Sequence, residues 1–329
     1  MKSLVILAKD SNYSLALVNK AQPHVTDGYC LVKLKAAALN RRDYWISVGK
    51  YPGIKDGITL GSDGCGEVTD GPAEWIGKEV LINPNVNWGD NPEVQAANYT
   101  ILGTPENGTL AEYIVVPEDR LIEKPTHLTS EQGAALPLAG LTAFRATFTK
   151  AQVCKGDRVL ITGIGGGVSH FALQFAKAVG AEVYVTSSKE EKLQKASKLG
   201  AKAGFNYRDK DWVKQAAAQV GKFDAIIDSA GGDAINDYLK LIKPAGRIVV
   251  YGSTTGKTQG FDLFRLFWSQ VSLMGSTMGN DAEFQEMVRF VSNHQIIPAV
   301  DKIYPFDQSV EAIQSMATTD QFGKIVLSF

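Results

Sequence analysis

The feature that most constrains this chain is a cluster of four glycines that follows a short apolar run. Arg158–Ile161 is apolar and partly β-branched, and glycines occupy positions 163 and 165–167. Apolar residues then recur at helical spacing through Val168–Val179. This pattern predicts a strand that turns sharply into a helix and leaves backbone N–H groups at the positive end of the helix dipole. Diphosphate binds at such a turn, because glycine has no Cβ to block the close approach of a phosphate.

The glycines match the dinucleotide-binding fingerprint G-x-G-x-x-G only loosely. Counted from Gly163, the fingerprint gives Gly165 and Val168, whereas a spacing one residue longer gives Gly166 and Ser169. The alternative interpretation is a plain glycine-rich loop. The residues predicted to contact the dinucleotide here are Gly163, Gly165, Gly166, Gly167 and Val168. The Ser169 hydroxyl is a further candidate to face phosphate.

Strands and helices alternate after this loop. Glu182–Thr186, Phe223–Asp228 and Arg247–Tyr251 are predicted strands, and Lys189–Leu199 and Asp233–Ile242 are predicted helices. This alternation indicates an α/β fold with a doubly wound parallel sheet of the Rossmann type. The glycine loop follows the first strand, where a dinucleotide site belongs.

The end of the second strand indicates which dinucleotide binds. An NAD site usually has Asp or Glu there, to bind the ribose hydroxyls. This chain instead offers the hydroxyl and ammonium groups of Ser187, Ser188, Lys189 and Lys192. Such groups would bind a 2′-phosphate, which a carboxylate would repel. Glu190 and Glu191 begin a helix and are interpreted as first-turn acids favoured by the dipole. We therefore expect NADP(H); the alternative is a solvated helix start without a ligand.

Composition excludes several function classes. A net charge of −1 over 329 residues gives no electrostatic reason to expect nucleic acid or an anionic membrane as a partner. No apolar run is long enough to span a membrane, and the apolar stretch near residue 1 is too short for a signal peptide. Cys30, Cys65 and Cys154 are widely spaced, which favours a reducing compartment. We expect a cytoplasmic enzyme.

The first 120 residues show a different pattern of predicted secondary structure. Short strand candidates recur between turn residues, which is typical of a mostly-β domain; they are Ser3–Leu7, Cys30–Ala37, Cys65–Val68, Glu79–Ile82 and Ala111–Val116. Asn83–Pro105 is predicted to be a long surface loop. Strand character returns at Asp301–Tyr304 and Lys324–Leu327. We therefore expect a β domain at 1–122, completed by the tail 296–329, and a dinucleotide-binding domain at 123–295, with the reactive end of the cofactor in a cleft between them.

Several motifs together point to a known family. They are Ala38–Asp43, Gly61–Val68, Gly108–Tyr113, Ala139–Ala143, the glycine loop and Phe322–Leu327. With these motifs the chain resembles the medium-chain dehydrogenase/reductase superfamily along essentially its whole length. Within it, the chain resembles the zinc-independent quinone oxidoreductase (zeta-crystallin-like) branch, whose members are often labelled zinc-type alcohol dehydrogenase-like. The resemblance implies a GroES-like domain joined to a Rossmann domain, NADP(H) in the cleft, and a homodimer.

The residues argue against zinc. In the alcohol dehydrogenases of this superfamily, a Cys early in the chain, a Gly-His-Glu segment and a later Cys hold the catalytic metal. Here Asn40 stands at the Cys position and Gly61-Ser62-Asp63 at the Gly-His-Glu position. Asn and Ser are poor zinc ligands beside thiolate and imidazole. Asn83–Pro105, where a structural zinc lobe would fall, contains no cysteine. The resemblance therefore implies function without zinc.

Without a metal, hydrogen-bond donors must stabilise the charge that develops on a substrate oxygen when hydride reaches carbon. The resemblance places Asn40, Asp43 and Tyr51 at the cleft. Asn40 would donate its amide N–H, and Tyr51 would donate its hydroxyl or stack on a flat substrate. Asp43 fits a structural role, bonding backbone amides, better than general acid catalysis, because a carboxylate has the wrong charge unless burial raises its pKa. Trp45 stands where the branch often has Tyr, which leaves quinone specificity open; each aromatic could equally be core.

Later segments complete the predicted cofactor site. Ligands bind at the carboxyl ends of parallel strands, which here gives Ser229, Ala230, Gly231, Gly252 and Ser253. The resemblance adds Tyr207 near the adenosine phosphate, Thr142 near the carboxamide, and Thr277 and Met278 after a predicted sixth strand, Val271–Gly275. The aromatic segment Phe261–Trp268 is expected to cap the cleft or to pack in the dimer.

Three functional hypotheses follow. The first is an NADPH-dependent reductase of quinones or α,β-unsaturated carbonyls. The second is a zinc-free reductase of aldehydes or enoyl thioesters on the same frame. The third, of another class, is an NADPH-binding sensor or structural protein with little turnover.

Overall fold

A computed structural model describes residues 1–10, 12–318 and 320–329. The chain packs into two compact units: Met1–Ala139 with Asn280–Phe329, and Gly140–Gly279. The first unit therefore extends beyond the 122/123 and 295/296 boundaries expected from the sequence. A reason is visible at Asp281, whose carboxylate accepts hydrogen bonds from Asn83 and Arg120 of the same unit.

The elements are numbered in chain order. The strands are β1 Lys2–Lys9, β2 Asn12–Asn19, β3 Tyr29–Ala38, β4 Asp63–Asp70, β5 Glu79–Ile82, β6 Asn85–Val86, β7 Thr100–Ile101, β8 Tyr113–Pro117, β9 Leu121–Glu123, β10 Arg158–Ile161, β11 Glu182–Ser187, β12 Ala203–Asn206, β13 Phe223–Asp228, β14 Ile242–Val250, β15 Ser272–Gly275, β16 Val300–Pro305 and β17 Lys324–Ser328. The helices are α1 Arg41–Ser47, α2 Ser130–Ala134, α3 Pro137–Phe144, α4 Gly167–Ala178, α5 Glu190–Leu199, α6 Trp212–Val220, α7 Ala234–Leu241, α8 Leu263–Trp268, α9 Asp281–Asn293 and α10 Ser309–Ser315.

The first unit is built on a mostly antiparallel sheet in the order β16-β17-β3-β4-β5-β9, with β8 also paired to β3. In the register of this sheet, Ala38 of β3 lies opposite both Asp63 of β4 and Val326 of β17. The end of β3 and the starts of β4 and β17 therefore meet at one place, and α1 begins just after it. A fully buried apolar cluster that includes Leu4, Ile46 and Leu60 packs around this region.

The second unit is a six-stranded parallel sheet in the order β12-β11-β10-β13-β14-β15. This is the doubly wound order 3-2-1-4-5-6, whose ligand crevice opens where the strand order reverses, between β10 and β13. The central strands are fully buried aliphatic runs such as Val159–Ile161, typical of a parallel sheet covered on both faces. The predicted α/β fold class is confirmed.

Some elements differ from expectation. β2, β12 and α6 were not predicted, and α4 begins at Gly167 rather than Val168. The predicted surface loop Asn83–Pro105 is wrong in part, because it contains the hairpin β6–β7 and buries Asn85 and Trp88. The Asn85 side chain accepts a hydrogen bond from the Tyr99 hydroxyl at 2.7 Å, so polar residues in this segment bond one another inside the unit.

Among the described residues, no helix is both long and apolar enough to cross a membrane.

Candidate functional site

The glycine loop lies between β10 and α4 and is anchored to the end of β11. Gly163 has φ +62°, a backbone conformation that favours glycine. Its N–H donates to Thr186 Oγ1 at 3.2 Å, and the Ile164 N–H donates to the Thr186 carbonyl at 3.0 Å. No described side chain caps the first turn of α4. The positive end of the α4 dipole is therefore available to an anion.

Ser169 has a different role from the one expected. Its Oγ lies 2.9 Å from the Gly163 carbonyl and 2.8 Å from the Gly166 carbonyl, and the residue is buried. The hydroxyl therefore donates back to the loop rather than facing a phosphate, so that expectation is wrong. It holds the loop closed over the first turn of the helix.

The residues predicted to select the cofactor lie at the ends of β11 and β12. Ser187 is buried and its Oγ accepts the Lys189 N–H at 3.2 Å, whereas Ser188 is half-buried and Lys189 is exposed. The Tyr207 N–H donates to the Ser187 carbonyl at 3.1 Å, which brings the two strand ends together. Lys192 is buried, one turn into α5.

The loops after β13 and β14 are held against each other. Thr255 donates its N–H and its hydroxyl to the Ala230 carbonyl, each at 2.9 Å. A Cβ on Gly252 would lie 2.8 Å from the Ser229 carbonyl oxygen, so glycine permits this close approach. Gly231 has φ +66° and packs beside Ser253.

Asp228, at the end of β13, organises these loops and was not predicted as a site residue. Its buried carboxylate accepts the Thr162 hydroxyl at 2.6 Å and the Tyr238 hydroxyl at 2.8 Å. It also accepts the N–H groups of Ala230 and Gly231 at 3.1 and 2.7 Å. One carboxylate therefore fixes the end of β10 and the turn after β13, on both sides of the ligand crevice.

Two further predicted cofactor residues meet in the second unit. Thr142 of α3 donates its hydroxyl to the sulfur of Met278 at 3.7 Å, and both side chains are buried. Met278 has φ +43°, whereas its neighbour Thr277 is exposed. The contact brings together residues that are far apart in the sequence.

In the first unit, Asn40 lies where β3, β4 and β17 meet. Its Nδ2 donates to Asp63 Oδ2 at 2.9 Å, and the Lys324 ammonium donates to Asn40 Oδ1 at 2.6 Å and to Asp63 Oδ2 at 2.8 Å. The second Asp63 oxygen accepts the Leu138 N–H at 2.8 Å. One N–H of the Asn40 amide is thus already in use within a buried polar triad.

Asp43 contacts the backbone at the start of α1. Its Oδ2 accepts the Asn40 N–H at 2.7 Å, and the residue is fully buried. Burial raises the pKa of the Asp43 carboxyl, against the smaller opposing effects of the Arg42 charge and of that hydrogen bond. The contact has the geometry of a helix cap, as a structural role requires.

Arg42 and Tyr51 form a pair beside Ser62. Arg42 is 8% exposed; its Nη1 donates to Ser62 Oγ at 2.6 Å and to the Leu102 carbonyl at 2.5 Å. Its Nε lies 3.3 Å from the Tyr51 hydroxyl, and its guanidinium carbon lies 4.9 Å from the centre of the Tyr51 ring. The Tyr51 side chain is thereby held by both a hydrogen bond and a cation–π contact.

Trp45 is half-buried on the same helix. Its ring meets that of Tyr44 edge-on, with centroids 5.2 Å apart, and the Lys50 ammonium lies 5.9 Å from it. These contacts place Trp45 in a local aromatic cluster of α1. Its predicted contact with substrate remains a prediction.

The donor set at the position expected of a catalytic metal does not fit zinc. Asn40 and Ser62 offer a neutral amide and a neutral hydroxyl, and each is bonded to a cationic side chain, Lys324 or Arg42. Two positive charges in contact with these groups would repel a divalent cation. Within residues 1–10, 12–318 and 320–329, no three His, Cys, Asp or Glu side chains lie close enough to hold a metal ion.

Comparison with known proteins gives the family. The model of the alcohol dehydrogenase GroES-like domain matches residues 26–126, and that of the zinc-binding dehydrogenases matches residues 167–293. With these matches and the two folds described above, the chain belongs to the medium-chain dehydrogenase/reductase superfamily, with a GroES-like domain and a Rossmann-type domain. It is therefore an oxidoreductase.

Individual relatives are similar to this chain over nearly its whole length. A zinc-type alcohol dehydrogenase-like protein of Leptosphaeria maculans is 38% identical over 96% of this chain and 94% of its own. One of Schizosaccharomyces pombe is 34% identical over 91% of this chain and 90% of its own. A crystal structure of an NAD-dependent alcohol dehydrogenase superposes with a TM-score of 0.92 at 32% identity and full coverage of both chains. The superfamily expected from the motifs is confirmed; the quinone oxidoreductase branch stays a prediction.

The sequence analysis did not identify three residues of the site, namely Arg42, Lys324 and Asp228. Arg42 and Lys324 lie inside motifs that the resemblance used, but nothing local shows which oxygens their cationic groups contact. Asp228 ends a predicted strand, and an acidic residue at the carboxyl end of a parallel strand is a usable signal for a loop-organising or ligand-binding role.

Proposed function

We propose that this protein is an NADPH-dependent oxidoreductase that transfers hydride to a quinone or an α,β-unsaturated carbonyl without zinc. The observation that carries the proposal is that Lys324 donates a hydrogen bond to Asn40 and Arg42 donates one to Ser62. These contacts occupy the two side chains that, by the resemblance, stand at metal-ligand positions. An acceptor whose oxygen can be stabilised by hydrogen bonds alone suits such a site.

The glycine loop supports the cofactor part of the proposal. The uncapped start of α4 and the glycines at positions 163 and 165–167 fit a diphosphate, and the loops after β13 and β14 would contact the ribose. The cofactor, when bound, supplies the hydride. The side chains of this chain bind and orient it, and Asp228 keeps the turn beside it in place.

A preference for NADPH is supported by the end of β11. Ser188 is half-buried and Lys189 is exposed there. The Glu191 carboxylate forms an ion pair with Lys195 at 2.8 Å, which offsets the negative charge of Glu191. Names of relatives favour the other cofactor, since a 28% identical relative of Sulfolobus acidocaldarius is called an NAD-dependent alcohol dehydrogenase. Binding constants for NADPH and NADH, measured by fluorescence titration, decide between the two; tighter binding of NADH would contradict this part of the proposal.

Tyr51 is the proposed donor to the substrate oxygen. When hydride bonds to the substrate carbon, the displaced electron pair collects on oxygen, where the Tyr51 O–H would stabilise it; a solvent proton then completes the reduction. Asn40 would orient the site through its second amide N–H, and Asp43 would fix the start of α1. Trp45 would shape the pocket for a flat acceptor.

A second candidate is favoured by one relative. A crotonyl-CoA reductase of Streptomyces avermitilis is 27% identical over 96% of this chain and 82% of its own. Its name indicates an enoyl thioester, which presents the same conjugated C=C–C=O unit as an enone. An aldehyde or alcohol substrate, and an NADPH-binding sensor with little turnover, are the remaining alternatives.

One assay separates these possibilities. NADPH oxidation is followed with quinones, 2-alkenals, simple aldehydes and enoyl thioesters, and Tyr51→Phe is run beside the wild type. We expect the highest kcat/KM with quinones or 2-alkenals and a large loss in Tyr51→Phe. Preference for enoyl thioesters would support the second candidate, and tight NADPH binding with no turnover of any acceptor would support the sensor.

A cytoplasmic homodimer completes the proposal. β15 is an edge strand of the parallel sheet, and Phe264, Phe267 and Trp268 of α8 are 61%, 62% and 72% exposed. An exposed aromatic patch in the same unit as an unpaired strand edge favours association with a second copy. Light scattering after size exclusion tests this: we expect a dimer, and a monomer from Phe267→Glu. A wild-type monomer at micromolar concentration would contradict it.

A further inference from the structure

Arg42 carries a buried positive charge that no described carboxylate neutralises by an ion pair. Its hydrogen bonds go to neutral oxygens, namely Ser62 Oγ, the carbonyls of Leu102 and Thr104, and the Tyr51 hydroxyl. Lys324, by contrast, is paired with Asp63 at 2.8 Å. Asp43, next to Arg42 in the chain, turns Oδ2 towards the Asn40 backbone. A buried cation is costly unless a countercharge is supplied; among the described residues no carboxylate lies within ion-pair distance of Arg42, and the adjacent Asp43 carboxyl interacts with its charge without an ion-pair contact.

The contact with Tyr51 links this charge to a hydrogen-bond donor. The Tyr51 hydroxyl accepts from Arg42 Nε, so its own proton must be directed to another acceptor. No other side chain or backbone group among the described residues accepts that proton within hydrogen-bond distance. The guanidinium also lies against the Tyr51 ring, which limits its rotation. Tyr51 is therefore held with an oriented, available O–H.

We propose that Arg42 is a positioning residue for the reduction: it orients the Tyr51 O–H towards the substrate oxygen and supplies, behind it, the fixed positive charge that a metal ion would otherwise provide. This inference rests on the proposed function. In the step concerned, the C4–H bond of a bound dihydronicotinamide would break, which oxidises that ring to the nicotinamide cation. The transferred hydride would form a C–H bond to the substrate carbon, and the π bond of that carbon would break. The electron pair moves through the conjugated system to the carbonyl oxygen, and a solvent proton neutralises the product.

A purely structural role for Arg42 makes a different prediction. The side chain also ties the Leu102 and Thr104 carbonyls to α1, so its loss could simply loosen that segment. Such loosening would lower stability and would act independently of Tyr51. If Arg42 acts electrostatically through Tyr51, substitution of Arg42 should lower kcat and leave cofactor binding unchanged. The same substitution should have no further effect in a protein whose Tyr51 has lost its hydroxyl.

The test is a double-mutant cycle in the full-length protein with the best acceptor of the panel. The variants are Arg42→Gln, Arg42→Lys, Tyr51→Phe and Arg42→Gln/Tyr51→Phe. The matched control is Arg120→Gln, which removes a mostly buried arginine of the same unit that pairs with Asp281 instead. Each variant is measured for kcat, for the KM of NADPH, for the primary isotope effect with 4-deuterated NADPH, and for thermal stability.

We expect Arg42→Gln to lower kcat about 100-fold, the loss typical of one removed oxyanion stabiliser. The KM of NADPH should stay near the wild-type value, and the isotope effect should rise because hydride transfer becomes more rate-limiting. Arg42→Lys, which keeps the charge, should lose less. The double variant should be no slower than the slower single variant. Arg120→Gln should lose stability and keep its kcat.

Other results overturn the inference. Folded Arg42→Gln with near wild-type kcat, or additive losses in the double variant, would assign Arg42 to structure alone. If Arg42→Gln does not fold, Arg42→Lys decides: a kcat as low as that of Tyr51→Phe would contradict a role for the charge. Wild-type protein that reduces no acceptor would overturn the proposed function and this inference with it, whereas active wild type with an insensitive Arg42 overturns this inference only.

Discussion

The Lys324 ammonium lies 2.8 Å from Asp63 Oδ2, although 261 residues separate the two in the chain. Both side chains are almost completely buried, and Asn40 bonds to both of them. This ion pair fastens the start of β17 to the start of β4, beside Asn40. The stability of the first unit and the poor fit of this position to zinc thus depend on the same side chains.

Lys324→Met should be strongly destabilising. It leaves the Asp63 carboxylate buried without its countercharge, which costs about 3–5 kcal/mol in comparable sites. Urea unfolding followed by circular dichroism measures the change. The matched control is Lys2→Met, because Lys2 pairs with Asp307 at the same 2.8 Å but both side chains are more than half exposed. Equal effects of the two substitutions would show that burial of the Lys324 pair is not what makes it important.

Ser169→Ala should lower the stability of the protein more than it lowers its affinity for the cofactor. Loss of the hydroxyl leaves the Gly163 and Gly166 carbonyls without this donor, at a cost of about 1 kcal/mol. Thermal unfolding of the cofactor-free protein reports this loss, with Ser197→Ala on the exposed side of α5 as the control. Unchanged stability together with reduced NADPH affinity would mean that the hydroxyl faces the phosphate after all.

Lys189→Glu should change cofactor preference. It places a carboxylate at the exposed end of β11, where a 2′-phosphate would be repelled; loss of one charge-assisted contact corresponds to roughly a tenfold weaker Kd for NADPH. The Kd for NADH should not rise. Lys198→Glu makes the same charge change at the far end of α5 and should leave both constants as they are. An unaltered ratio of the two constants in Lys189→Glu would contradict the predicted phosphate site.

His170 should make the protein acid-sensitive. Burial lowers the pKa of this imidazole to about 4, from an ordinary value of 6.5. Since the unfolded chain binds the proton more readily, stability is retained above pH 6.5 and lost as the pH falls towards 4, by about 3 kcal/mol in all. Unfolding free energies of His170→Gln between these pH values should show a shallower decline than wild type. His294→Gln, at an exposed position, is the control; a decline as steep in His170→Gln as in wild type would refute the assignment.

The sequence predicted what local patterns encode. The apolar run of β10, the glycines after it and the helical spacing of α4 gave the turn and its place in the sheet. β12 was missed because Ala203-Gly204-Phe205-Asn206 is short and contains a glycine, which weakens the strand signal. β2 was missed although five of its eight residues are apolar; among the described strands it pairs with β1, and much of it is exposed.

The contacts of the candidate site could not be predicted in the same way. Asn40, Asp63 and Lys324 meet because β3, β4 and β17 are adjacent in the sheet, and a single sequence does not contain that register. The Ser169 hydroxyl has two carbonyl acceptors within its own turn, which only the coordinates of the turn reveal. The expectation that Asn40 and Ser62 replace zinc ligands came from the sequence, whereas the cations bonded to these two side chains could not be predicted from it.

Turnover after removal of metal ions tests the central claim most directly. The protein is dialysed exhaustively against a strong chelator, its zinc content is measured by elemental analysis, and NADPH-dependent reduction of the preferred quinone or 2-alkenal is compared before and after. We predict an unchanged kcat with no zinc bound. Loss of activity on chelation, restored by stoichiometric zinc, would contradict the account.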